Sequence, residues 1–253
     1  MPVTDLEYVF VGTVIGVLSG LFGVGGSSVS TPVLRLALGV SPLIALATPL
    51  PVTLPAAVAG GYVYASHGFV RWRVVFICGL AGVPSVIAGA FATAVIQGSI
   101  LLVFTGVFVA IVGLRLLLTK ELTRHDEHAH ESVWLMVAIG VVVGFLSGLL
   151  ANGGGFLLMP AFVIVLGMTT HEAAATSLIS VVAFAIPGTV VHWALGHIDV
   201  RLMLLLSAGV LPASYFGGRI GVVLPARVAR LSFGLFLTLF GVFFGAKELL
   251  ATL

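Results

Sequence analysis

Ser19-Gly20-Leu21-Phe22-Gly23-Val24-Gly25-Gly26-Ser27-Ser28 and Ser147-Gly148-Leu149-Leu150-Ala151-Asn152-Gly153-Gly154-Gly155 are two copies of one glycine-rich pattern, 128 residues apart. The same ungapped offset pairs Pro32 with Pro160, Gly39 with Gly167, Thr48 with Thr176 and Gly60 with Gly188. It continues through Gly68 and Gly196, Arg73 and Arg201, Pro84 and Pro212, and Gly89 and Gly217. Coincident apolar residues mean little in so apolar a chain. Coincident Gly, Pro and Arg at one offset mark an internal repeat. The halves are residues 1–119 and 133–253, joined by a polar linker at 120–132.

Working outward, the chain has 253 residues, 60% hydrophobic and 8% charged. A soluble domain carries about 25% charged residues, so lipid is the expected solvent. The net charge of +2 leaves no basic patch for nucleic acid. Cys78 is the single cysteine, which excludes an intrachain disulfide. The stretch 1–7 has no Lys or Arg and no small-residue cleavage site, so the first apolar segment is expected to stay as an anchor.

Apolar runs lie near 6–24, 27–39, 42–65, 74–96, 99–119, 133–151, 155–167, 171–195, 202–223 and 231–250. They lack the period-two alternation of a membrane barrel. A helix needs about 20 residues to cross a bilayer, and 27–39 and 155–167 have only 13 each. Both follow a glycine cluster and end at a glycine. Both precede a helix start: Ser41-Pro42 in one half, and the capping box Thr169 to Glu172 in the other. The fold class is an all-α polytopic membrane protein with broken or re-entrant short helices at the glycine clusters.

Positive charge flanks the cytoplasmic ends of spans. Arg71 and Arg73 mark one loop, the linker with Arg115, Lys120 and Arg124 a second, and the turn with Arg219, Arg227 and Arg230 a third. Equivalent loops in the two halves then fall on opposite faces, which predicts an inverted repeat with both termini periplasmic. Three crossings plus a re-entrant hairpin, or five crossings, both satisfy this.

Glycine clusters at helix N-termini expose main-chain N–H groups to an anion. Inversion brings both N-termini together near the midplane. The candidate site is Gly23, Gly25, Gly26, Ser27, Ser28, Asn152, Gly153, Gly154 and Gly155, with hydroxyls from Thr48, Thr176 and Ser177. Scattered glycines such as Gly12, Gly16 and Gly113 read as packing residues. Pro49, Pro51, Pro55 and Pro187 are expected to kink their helices. Arg35 reads as a snorkelling residue at a helix end. His67 and His192 read as interfacial. No Asp or Glu falls well inside a span, so a buried carboxylate relay is not expected. The charge of the substrate itself, or no coupling at all, is the expectation.

These readings point to a secondary transporter of a small anion working by alternating access, with no catalytic residues, no metal and no cofactor. The expected partners are that anion, the lipid bilayer and, in a homodimer, a second copy of the chain; no nucleic acid is expected. Two other classes stay open. The linker histidines His125, His128 and His130 fit a divalent-metal permease. Ser27 or Ser28 with His192 fits an intramembrane serine hydrolase.

The run 19–26, its partner 147–155, Pro32 with Pro160, and Ala47-Thr48 with Ala175-Thr176 resemble the TauE/SafE sulfite-exporter family, also called the toluene sulfonate uptake family. The resemblance covers nearly the whole chain. It implies movement of sulfite, sulfonates or sulfoacetate across the bacterial inner membrane. The second motif has Ala151-Asn152 where the family pattern begins with a glycine, so the two half-sites differ in side chains.

Overall fold

The computed structural model describes residues 5–36, 38–119 and 132–252, which form helices and no strands. The first half holds α1 (Asp5–Phe22), α2 (Ser27–Leu36), α3 (Pro42–Ala47), α4 (Pro49–Ser66), α5 (Trp72–Ala92) and α6 (Gly98–Leu118). The second holds α7 (Val133–Leu149), α8 (Gly155–Ile164), α9 (Thr170–Ala194), α10 (Val200–Val223) and α11 (Ala226–Thr252). Among the described residues, seven helical segments are long and apolar enough to cross a membrane: α1, the α3–α4 unit, α5, α6, α9, α10 and α11. With 17 residues, α7 is only slightly shorter.

Both short helices are where the sequence puts them, with 10 residues each, about 15 Å of helix. Each stops before its glycine turn. The Val40 N–H then reaches the Leu34 carbonyl and the Met168 N–H the Phe162 carbonyl, both at 3.1 Å. The next helices start differently. Thr169 and Glu172 form the full capping box, whereas the Ser41 side chain makes no cap bond and α3 starts on Pro42. The prolines also act unequally. Pro49 and Pro51 supply no N–H, and the helix is divided at Thr48. Helix α9 runs unbroken through Pro187.

The halves interleave: α1 packs along α10, α5 along α7, and α6 along α11. Glycine stripes make these contacts. Gly12, Gly16 and Gly20 lie against Leu206, Val210 and Ser214, so α1 and α10 run parallel. Their repeat partners Gly140, Gly144 and Gly148 lie against Cys78, Gly82 and Val86, so α7 and α5 also run parallel. At all six, a Cβ would lie 2.0–2.7 Å from a carbonyl oxygen of the facing helix, which excludes even alanine without a shift. Equivalent helices meet antiparallel. Gly60 sits at Leu178 and Gly188 at Leu50, where α4 crosses α9; Gly106 sits at Gly245 and Gly113 at Thr238, where α6 crosses α11.

One side of the bundle gathers basic residues. The Arg71 guanidinium pairs with Glu172 at the start of α9 at 3.0 Å. His171, beside Glu172, bonds the Leu224 carbonyl at the α10–α11 turn. Arg230, just past that turn, donates to the Leu116 and Thr119 carbonyls at the end of α6. On the other side Asp5 pairs with Arg201 at 2.7 Å, and Arg35 with Glu248 at 3.2 Å. Helix α2 therefore returns to the side from which α1 departs.

Candidate functional site

Both glycine clusters arrive at one point in the bundle. A Cβ on Gly25 would lie 3.3 Å from Val181 Cγ1 and 3.5 Å from Thr53 Cβ. A Cβ on Gly153 would lie 3.3 Å from the same Val181 atom and 3.2 Å from Thr53 Oγ1. Thr53 and Val181 are themselves repeat partners, in the middle of the α3–α4 unit and of α9. Gly155 is closer still, since its Cβ would fall 2.2 Å from the Val24 carbonyl oxygen. The chain turns here through left-handed backbone at Gly23, Gly25, Gly26, Gly153 and Gly154 (φ between 66° and 84°). Ala151 joins them at φ 48°, the one non-glycine residue with positive φ among those described.

From this junction α2 and α8 leave as ten-residue helices. The Gly26 carbonyl accepts the Ser30 N–H at 3.1 Å, and the Gly154 carbonyl the Leu158 N–H at 2.8 Å. In the first turn of α8 the Leu157 N–H also bonds the Gly154 carbonyl, at 3.0 Å; the dipoles of both helices place partial positive charge at the junction. Asn152 Oδ1 accepts the Gly154 N–H at 3.1 Å, which uses that donor to hold the turn. Ser177 donates to the Gly23 carbonyl and ties α9 to the other half's cluster. Gly23, Gly25, Gly26, Asn152, Gly153, Gly154, Gly155 and Ser177 thus come together. Ser27 and Ser28 open α2, and their side chains lie outside the described set. Thr48 and Thr176 are used elsewhere, on the main-chain N–H groups of Asp199 and Arg71. Thr53 is a junction residue that the sequence did not mark: its repeat partner is valine, so the offset gives it no signal.

A family model for sulfite exporter TauE/SafE matches residues 8–244.

The chain belongs to the TauE/SafE sulfite exporter family.

A "Probable membrane transporter protein" of Xylella fastidiosa (strain 9a5c) is 31% identical over 85% of this chain and 83% of its own length. The "Probable membrane transporter protein YunE" of Bacillus subtilis is 26% identical over 87% of this chain and 88% of its own. A third, from Methanocaldococcus jannaschii, is 22% identical over 93% of each chain. No solved structure matches. With its apolar helices, this TauE/SafE chain is a multi-pass membrane protein of a transporter family.

Several charged and titratable side chains of this TauE/SafE chain sit away from the junction. Arg35 reaches Glu248 and the Val40 carbonyl, so it ends in an ion pair rather than at the lipid surface, and Glu248 is buried. His192 is buried rather than interfacial. Its Nε2 must donate to the Gly148 carbonyl at 3.1 Å, which leaves Nδ1 as acceptor for His197 Nδ1 at 3.2 Å. Both nitrogens are engaged, and neither is open as the base a hydrolase requires. Its repeat partner Tyr64 donates to the Leu21 carbonyl at 3.0 Å, one residue beyond Gly20, the partner of Gly148. Among the described residues no group of three or more His, Cys, Asp or Glu could hold a metal ion. The linker histidines lie outside the described residues.

Proposed function

We propose that this chain is a secondary transporter of small sulfur oxyanions or sulfonates, working by alternating access around the glycine junction. The observation that carries the reading is the meeting of Gly25 and Gly153 on Thr53 and Val181, where two half-length helices begin. Oriented N–H groups in a water-poor setting attract an anion without a fixed cationic side chain. The junction has no Lys or Arg among its residues, which favours release as well as binding.

The halves act as inverted repeats. Equivalent helices α4 and α9, and α6 and α11, run antiparallel where they meet, as a pseudo-two-fold axis in the membrane plane requires. The side carrying Arg71, Arg115, Arg219 and Arg230 faces the cytoplasm of a bacterial inner membrane, and both termini face the periplasm. Each half then makes three crossings, with α1–α2 or α7–α8 as a hairpin. A cavity of about 10 Å³ lined by Leu21, Tyr64, Met159, Thr170 and Ala174 lies toward the basic side, and Ala174 also abuts Gly23.

Radiolabelled sulfite uptake into proteoliposomes tests the reading. Gly26→Leu and Gly154→Leu should abolish flux while the protein still reconstitutes as a folded species. Wild-type flux in both variants overturns it.

A further inference from the structure

We propose that the side-chain hydroxyls of Ser19 and Ser147 form a matched pair of ligand donors at the glycine junction, taking an oxyanion with several acceptor oxygens, such as sulfite or a sulfonate. This rests on the junction being the transport site. The two serines are repeat partners, each buried to 1% exposure or less. Neither hydroxyl has a hydrogen-bond partner.

A buried serine in a helix ordinarily bonds its own backbone three or four residues back. The buried Ser30 and Ser214 do so at 2.9 and 3.2 Å, as do the exposed Ser66 and Ser232, and the buried Ser177 hydroxyl donates to the Gly23 carbonyl. Ser19 and Ser147 do neither. Ser180 and Thr189 share that state, but their repeat partners are Val52 and Gly61, so among the described residues only the 19/147 pair is common to both halves.

Position gives the two hydroxyls their use. The Ser19 carbonyl holds the Gly23 N–H at 2.9 Å, and the Ser147 carbonyl holds the Asn152 N–H at 3.2 Å, so each serine anchors a cluster. A Cβ on Gly26 would lie 3.3 Å from Ser19 Cβ, and one on Gly154 would lie 3.2 Å from Ser147 Oγ. Gly154 is the N-cap of α8, so the Ser147 hydroxyl stands over the first turn of that helix. A hydroxyl rotates to suit its acceptor. Each can therefore donate to one oxygen of an oxyanion held at its cluster.

Thermal unfolding of the purified full-length protein in detergent is the test. Sulfite and methanesulfonate are titrated over a chloride background. The proteins are wild type, Ser19→Ala, Ser147→Ala, the double variant and Gly155→Ala. Without added anion, the serine variants should melt at or above wild type, because alanine removes a buried hydroxyl that has no partner. The concentration of sulfite needed for a given rise in Tm should increase about tenfold in each single variant and more in the double. An unchanged sulfite response in the double variant overturns the proposal; if Gly155→Ala abolishes the response, the junction reading survives it. Anion-free Tm values well below wild type also overturn it, since the hydroxyls would then be structural. A wild-type protein that responds to neither anion overturns both readings.

Discussion

The Thr176 hydroxyl oxygen accepts the main-chain N–H of Arg71 at 3.0 Å, and the repeat partners of these two residues, Thr48 and Asp199, make the same bond at 3.1 Å. Each bond fastens the turn before a long helix, α5 or α10, to the central helix of the opposite half. Both threonines are fully buried. Thr48→Val and Thr176→Val keep the volume and strand the N–H. Each is expected to cost about 1–3 kcal/mol, read as a fall in Tm, while Thr→Ser keeps most of the stability. No change in either valine variant would mean that the N–H groups find another acceptor.

The junction sets opposite values on neighbouring small residues. Ala151 holds φ 48° where its repeat partner Gly23 holds 73°. A left-handed alanine costs about 1–2 kcal/mol, and glycine gives back about 0.4–1 of that through a freer unfolded chain. Ala151→Gly should therefore be neutral to stabilising by about 1 kcal/mol. Gly155→Ala should do the reverse, since its Cβ meets the Val24 carbonyl, a main-chain atom that moves only with the whole cluster. Tm and sulfite flux should both fall. Equal Tm for Gly155→Ala and wild type would contradict the contact.

Arg35 and Glu248 differ in what their loss leaves behind. Glu248 is 2% exposed, and its carboxylate faces the Arg35 Nε at 3.2 Å. Arg35→Met removes a charged partner from a buried carboxylate and is expected to cost about 1.5–3 kcal/mol. Glu248→Gln leaves a neutral amide beside a guanidinium that still reaches the Val40 carbonyl, and should cost less. The reverse order in chemical or thermal unfolding would show that the arginine, not the glutamate, depends on the pair.

His197 makes stability depend on pH. Burial holds its pKa below the ordinary histidine value. The unfolded chain therefore takes up the proton first as pH falls. The contribution of His197 is present above the unfolded pKa of about 6.5 and is lost as the pH drops below it. Tm should hold steady near neutral pH and decline under about pH 6.5, with a shallower decline in His197→Ala. An identical slope in the variant would assign the decline to other groups.

Much of this architecture could be read in the residues. The repeat offset located both short helices, because each depends on local features: a glycine cluster, a run too short to span, and a second glycine. The capping box at Thr169 and Glu172 was legible for the same reason, as its bonds join residues three apart. Gly12, Gly16 and Gly113, legible as packing residues, each face a main-chain carbonyl of a neighbouring helix. The destinations of polar side chains were not legible. Thr48 and Thr176 stood at matching positions near the clusters, yet their partners lie 151 and 105 residues away. Arg35 meets Glu248 across 213 residues, and His192 meets Gly148 across 44.

The sequence by itself therefore determined an apolar helical protein and the places where its helices break. These follow from backbone bonds four residues apart and from the length of apolar runs. Only the tertiary structure decided that the halves interleave, that α4 meets α9 antiparallel, that Gly25 and Gly153 share Thr53 and Val181, and that the Ser19 and Ser147 hydroxyls have no partner. Those outcomes depend on which distant surfaces fit together in a medium where apolar burial does not discriminate. The fit is set by small residues, and a glycine in a sequence does not name the carbonyl it will touch.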